Sequence, residues 1–197
     1  MGIAKQGSKP TGQVGYFIGR LMNLFHTGFY RKYYGNVLPE RPASLLDIGC
    51  GGGSLIKYLS DVRPSYKLFG LDHSEEMVTL SKKVNKKTIA GGQTIIECGS
   101  VVDLPYDNNS MDIVIANETV QFWPDILKSF SEIYRVLKEN GSFYIINRYP
   151  PEGSKWRRIA ILKDESDYKD AFDKAGFKNS QIDLHTIKGW IIATSQK

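Results

Sequence analysis

Leu45-Leu46-Asp47-Ile48-Gly49-Cys50-Gly51-Gly52-Gly53-Ser54, continued by Leu55-Ile56-Lys57-Tyr58-Leu59, is the stretch that decides the fold. An apolar run stops at a cluster of glycines, and a helix-forming run follows. The pattern predicts a buried strand, a tight turn and the first turn of a helix. Glycine suits such a turn because it accepts left-handed backbone and lets another molecule come close to the main chain. The helix start adds unpaired N–H groups and the positive end of a dipole. Together they predict a site for a nucleotide-like ligand.

Working outward, Tyr66-Lys67-Leu68-Phe69-Gly70-Leu71-Asp72 reads as a second strand ending in a carboxylate. Asp72 follows Gly49 by 23 positions, near the ~20 at which an acidic residue meets ribose hydroxyls in nucleotide-binding units. A dinucleotide fingerprint needs Gly-x-Gly-x-x-Gly or Ala, and position 54 is Ser54. The third glycine falls at Gly53 instead, which disfavours a nicotinamide-dependent oxidoreductase.

Further motifs follow in order: Leu71-Asp72-His73-Ser74, then Gly99-Ser100-Val101-Val102-Asp103-Leu104-Pro105-Tyr106, then Asn109-Ser110-Met111-Asp112-Ile113-Val114, then Trp123-Pro124-Asp125, then Glu132 to Gly141. With the glycine loop, this series resembles the class I S-adenosylmethionine-dependent methyltransferases. It is most similar to the small-molecule enzymes related to quinone-biosynthesis C-methyltransferases. The resemblance spans about residues 43–148. It implies a Rossmann-like, seven-stranded, mostly parallel sheet with helices on both faces and an antiparallel final strand. The cofactor it implies is S-adenosyl-L-methionine, with S-adenosyl-L-homocysteine as product.

The resemblance also implies residue roles. Gly49, Gly51 and Gly53 would pass close to the methionine and ribose parts of the cofactor. Asp72 would hold the ribose diol, with His73 and Met77 around ribose and adenine, or Met77 in plain core. Ser100 and Val101 would flank the adenine; relatives usually carry Asp at the place of Ser100, so the adenine contact here is uncharged. Asn117 would lie by the methionine end. Asp47 either steers the loop or reaches the methionine ammonium through water. Methyl transfer from a sulfonium needs an acceptor held in line more than it needs acid–base groups. After the fourth predicted strand the chain reads Asn117-Glu118-Thr119-Val120, without the Pro-Pro-aromatic motif of amino-methylating enzymes, and no Pro-Cys nucleophile is present. A small-molecule acceptor is expected, its attacked atom (C, O or N) left open. The alternative is a non-catalytic S-adenosylmethionine-binding regulatory or partner subunit.

Composition agrees with a globular domain. The chain has 197 residues, 41% hydrophobic and 24% charged, with a net charge of +5. No apolar run approaches the ~20 residues of a membrane span, and Met1–Pro10 lacks a secretory apolar core, so the cytoplasm is expected. Lys82, Lys83, Lys86 and Lys87 cluster, as do Trp156-Arg157-Arg158, but basic and aromatic residues do not interleave. That argues against nucleic acid as a partner. Cys50 and Cys98 have no metal spacing, Cys50 reads as a small residue filling the turn, and the three histidines stand apart, so no metal is expected.

The remaining elements follow from period and punctuation. Residues 13–34 carry Phe17, Leu21, Leu24, Phe25 and Phe29 at helical spacing, closed by Pro39 and Pro42. We read 1–34 as a helical lid segment and 35–197 as one domain. Strands are predicted at 44–49, 67–72, 94–98, 111–116 and 142–147. Helices begin at Ser54 and after Ser74, and two more span 125–138, stopped by Gly141, and 167–175. Residues 180–186 and 189–195 are a final antiparallel pair. The acceptor pocket is expected from Asn23, His26, Tyr30, Tyr33 and Tyr34 in the lid, and from Glu118, Gln121, Phe122, Trp123, Arg148 and Tyr149 after strands 4 and 5. His26 is the candidate base, although a lone histidine is commonly structural.

Overall fold

A computed structural model describes residues 27–197 except 155, 156, 159 and 185–188. Its seven strands form one sheet in the order β3-β2-β1-β4-β5-β7-β6; a seven-stranded, mostly parallel sheet with an antiparallel final strand is what the family resemblance implied. The chain falls into two compact units, one ending at Ser100 and the other beginning at Val101.

In the first unit, α1 (Thr27–Val37) is followed by β1 (Ser44–Ile48), α2 (Ser54–Val62), β2 (Lys67–Asp72), α3 (Glu75–Val84), α4 (Lys86–Ala90) and β3 (Thr94–Cys98). β1 has Leu45 and Leu46 fully buried, as a parallel strand covered on both faces requires. β1 pairs with β2 in parallel from Ser44↔Lys67 to Ile48↔Leu71, and β2 with β3 from Leu68↔Thr94 to Asp72↔Cys98. α2 buries Leu55, Ile56 and Leu59 along one stripe. Ser74 caps α3, its hydroxyl accepting from the Met77 N–H. The C-terminal end of α1 is held by Arg63, whose guanidinium donates to the carbonyls of Gly35 and Leu38 at 3.0 and 3.1 Å. The expected helical segment at 13–26, with His26 and Asn23, lies outside the described residues.

The second unit holds β4 (Met111–Asn117), α5 (Ile126–Val136), β5 (Leu137–Arg148), α6 (Glu165–Ala175), β6 (Lys178–Asp183) and β7 (Trp190–Gln196). β4 and β5 run parallel, while β5–β7 and β7–β6 are antiparallel. Both helices pack on the sheet face that carries Phe143: its ring lies 5.5 Å from Phe130 of α5 and 5.8 Å from Phe172 of α6. Phe177 closes this aromatic core, 5.5 Å from Phe172.

Several boundaries differ from the sequence reading, β6 for example running Lys178–Asp183 in place of 180–186, and one of them changes the role of a residue. The helix starting after Asp125 stops at Val136, and β5 begins at Leu137 with no loop between. Gly141 therefore ends no helix; it lies within β5. A Cβ there would sit 2.7 Å from the Lys138 carbonyl oxygen and 3.2 Å from that of Asp112. Lys197 does the capping in its place. Its ammonium donates to the carbonyls of Tyr134 and Leu137 at 2.8 and 2.9 Å and lies over the Tyr134 ring.

Candidate active site

The site is built from the loop after β1. Gly49, Gly51 and Gly53 all have left-handed backbone, with φ of 74°, 51° and 76°. Two of them serve different ends. A Cβ on Gly53 would fall 2.1 Å from Ser81 Oγ and 2.5 Å from Asn85 Nδ2, so this glycine lets the loop press against α3. A Cβ on Gly51 would meet no atom within 4 Å, so here the chain turns beside open space.

Asp72, at the end of β2, is buried to 7% exposure and ties this loop to the next. Its Oδ2 accepts from the Gly51 N–H at 2.9 Å and its Oδ1 from the Ser74 N–H at 2.9 Å. An ionised carboxylate has about four acceptor positions, so further donors can still be accommodated. The His73 ring, half in solvent, sits 3.6 Å from Oδ1. Below the loop, the Gly49 and Cys50 N–H groups both donate to the Leu71 carbonyl.

Sequence reading missed the residues that hold this loop from behind. Asn85, 1% exposed, donates through Nδ2 to the carbonyls of Gly53 and Ser81 at 3.0 Å each. No spacing signal marks it; it sits inside the lysine-rich stretch. Cys50 fills the turn as expected. Burial, then the nearby carboxylates of Asp72 and Asp47, push its thiol up, so it stays protonated at neutral pH.

The other sequence-predicted residues divide by unit. In the first, Asp47 and Met77 are buried and Ser100 is half-buried. Tyr30 and Tyr34 are buried in α1, and Tyr33 stacks edge-on against Tyr34 at 5.3 Å. In the second, Val101 is buried and Asn117 is the last residue of β4. Trp123 is buried against Phe130, 6.1 Å between ring centres. Glu118 takes a left-handed backbone, φ 53°, unusual for a residue with a side chain. Its carbonyl accepts from Gln121 Nε2 and its carboxylate from Arg148 Nε at 3.3 Å. The Arg148 guanidinium carbon lies over Trp190, 3.9 Å from the ring centre.

A family described as "Methyltransferase domain" matches residues 46–145, more than half of the chain. This chain belongs to the methyltransferase domain family. The match runs from β1 into β5 and so includes the glycine loop and Asp72. Among relatives, a demethylmenaquinone methyltransferase of Lactobacillus johnsonii is 30% identical over 86% of this chain and 70% of its own length. A malonyl-[acyl-carrier protein] O-methyltransferase of Gallionella capsiferriformans is 30% identical over 75% of this chain and 55% of its own. This methyltransferase domain spans less than two thirds of several such relatives. The same fold occurs in Haemonchus contortus phosphoethanolamine N-methyltransferase 2 solved with S-adenosyl-L-methionine. That likeness has a TM-score of 0.78 and 16% identity, covering 93% of this chain and 56% of that one. Among the described residues no helix is long and apolar enough to cross a membrane, and no cluster of side chains suits a metal ion.

Proposed function

We propose that this methyltransferase domain binds S-adenosyl-L-methionine along the loop after β1 and uses it to methylate a small molecule. The observation that carries this reading is the pairing of Gly51 with Asp72. The open, left-handed Gly51 leaves the backbone accessible, and the carboxylate bonded to its N–H keeps acceptor positions for the ribose hydroxyls. When bound, the cofactor supplies a methyl group already activated by its sulfonium charge.

The chain's task is then to bind and orient. Gly49, Gly51 and Gly53 shape the loop, Asp72 fixes the ribose, and His73 and Met77 stand beside it. Ser100 and Val101 take the adenine, and Asp47 and Asn117 the methionine end. Holding acceptor and methyl in line supplies about 7–11 kcal/mol of the barrier, which fits a site with little acid–base machinery. Tyr30, Tyr33, Tyr34, Gln121, Trp123 and Arg148 remain the proposed acceptor contacts, with His26 as base and residues 1–34 as lid. Two thiols that form no disulfide support a cytoplasmic setting.

The test is calorimetric titration with S-adenosyl-L-methionine, followed by label transfer from its methyl group to a metabolite pool. Tight binding with transfer supports the proposal. Binding with no transfer to any metabolite favours the regulatory alternative, and no binding rejects both.

A further inference from the structure

On the second unit's sheet, alternate residues divide the two faces. Phe143 and Asn147 of β5 meet α5 and α6, through the Phe130 and Phe172 rings and the Tyr168 hydroxyl. The register puts Asn117, Ile146, Arg148 and Trp190 together on the opposite face, at the C-terminal ends of β4 and β5. Arg148 is the exposed member, its side chain 57% accessible.

From this arrangement we infer that Arg148 is an anion-recognition residue for the methyl acceptor, which therefore carries a carboxylate or phosphate group. The inference rests on the methyltransferase reading and adds the acceptor's chemical class to it. Three observations carry it. The guanidinium lies over the Trp190 ring and is tethered at Nε to Glu118. That tether uses the Nε edge, and among the described residues the two Nη nitrogens have no hydrogen-bond partner, so a planar fork of donors is left facing outward. The fork matches two oxygens of a carboxylate or phosphate in a way a lysine cannot. Finally, Glu118 holds its carboxylate there on a left-handed backbone, secured by Gln121. An exposed ion pair returns little stability, so backbone strain spent on one points to positioning, and strain of this kind gathers at ligand sites.

The test uses protein with carbon-13 in its arginine guanidinium carbons, with and without S-adenosyl-L-homocysteine. It is titrated with benzoate against benzamide, and with phenyl phosphate against phenol. The Arg148 resonance is assigned by its loss in Arg148→Met. It should move saturably with at least one anion and stay put with the neutral partner of that pair. Whichever anion is preferred assigns carboxylate or phosphate. Arg148→Lys should weaken that anion, read by changes elsewhere in the spectrum, by roughly tenfold or more, while homocysteine-product affinity is unchanged. Product binding with no anion response, or equal response to the neutral probes, overturns the inference and leaves the methyltransferase reading standing. Failure to bind S-adenosyl-L-homocysteine removes that reading, and the acceptor assignment with it.

Discussion

Gly51 and Gly53 stand two positions apart, and their substitution should separate cofactor binding from folding. At Gly53, alanine would combine left-handed strain with overlap against Ser81 and Asn85. Strain of about 1–2 kcal/mol and overpacking of about 1–3 kcal/mol should together lower the protein's stability by about 2–5 kcal/mol. At Gly51 only the strain applies, because nothing lies near its Cβ direction. We expect Gly51→Ala to cost about 1–2 kcal/mol of stability while sharply weakening S-adenosyl-L-methionine. Denaturant melts and calorimetry on the two variants distinguish these outcomes. A Gly51→Ala protein with full affinity would show that the cofactor keeps clear of this backbone.

Asp72 does two jobs, and its variants should reflect both. Hydrogen bonds to a charged acceptor are worth roughly 1.5–3 kcal/mol each. Asp72→Ala removes those to Gly51 and Ser74 together with any made to a ribose. The folded protein should therefore lose stability as well as affinity. If affinity is retained and only the melting temperature falls, Asp72 is a loop tie and not a ribose ligand.

At the scale of elements, the segment between β3 and β4 is clamped onto α5 by one ion pair. Arg135 donates to the carbonyls of Leu104 and Tyr106 and to Glu132, while Glu132 Oε2 accepts from the Leu104 N–H. The hydrogen bond from Arg135 holds the Glu132 carboxyl below its ordinary value near 4.5. A carboxyl with a depressed folded pKa contributes its full stability above the unfolded value and loses it as pH falls through the folded one. Melting temperature should therefore drop between neutral pH and pH values below about 4.3. Glu132→Gln should lose stability mainly at neutral pH, by up to about 1.5–3 kcal/mol, less the screening of a partly exposed arginine. Parallel pH profiles for parent and variant would contradict this clamp. This contact was not legible in the sequence, although Glu132 and Arg135 both fall within the run from Glu132 to Gly141. Their partners lie 28 and 31 residues away, and only folding shows them. Gly141 was misread for a similar reason. A glycine after a helical run signals a stop locally, but a lysine 56 positions later supplies the cap, and backbone crowding explains the glycine.

For the molecule as a whole, the strand positions were legible because each buried strand is a short apolar run bounded by glycine, serine or charge, whereas the seven-stranded sheet was implied only by the family resemblance. The final antiparallel pair followed from a connection too short for a helical crossover. The glycine loop and Asp72 were legible because their chemistry is local to strand ends. Asn85, Ser81 and the Glu118–Arg148–Trp190 arrangement were not, since each depends on residues brought together across helices or strands. The central claim is that one adenosyl sulfonium molecule lies along the loop after β1 with its ribose at Asp72. A crystal structure with S-adenosyl-L-homocysteine tests it most directly. We expect both ribose hydroxyls within hydrogen-bond distance of the Asp72 carboxylate and the ligand running past Gly51. Ligand density elsewhere on the protein, with Asp72 bonded only to Gly51 and Ser74, would contradict it.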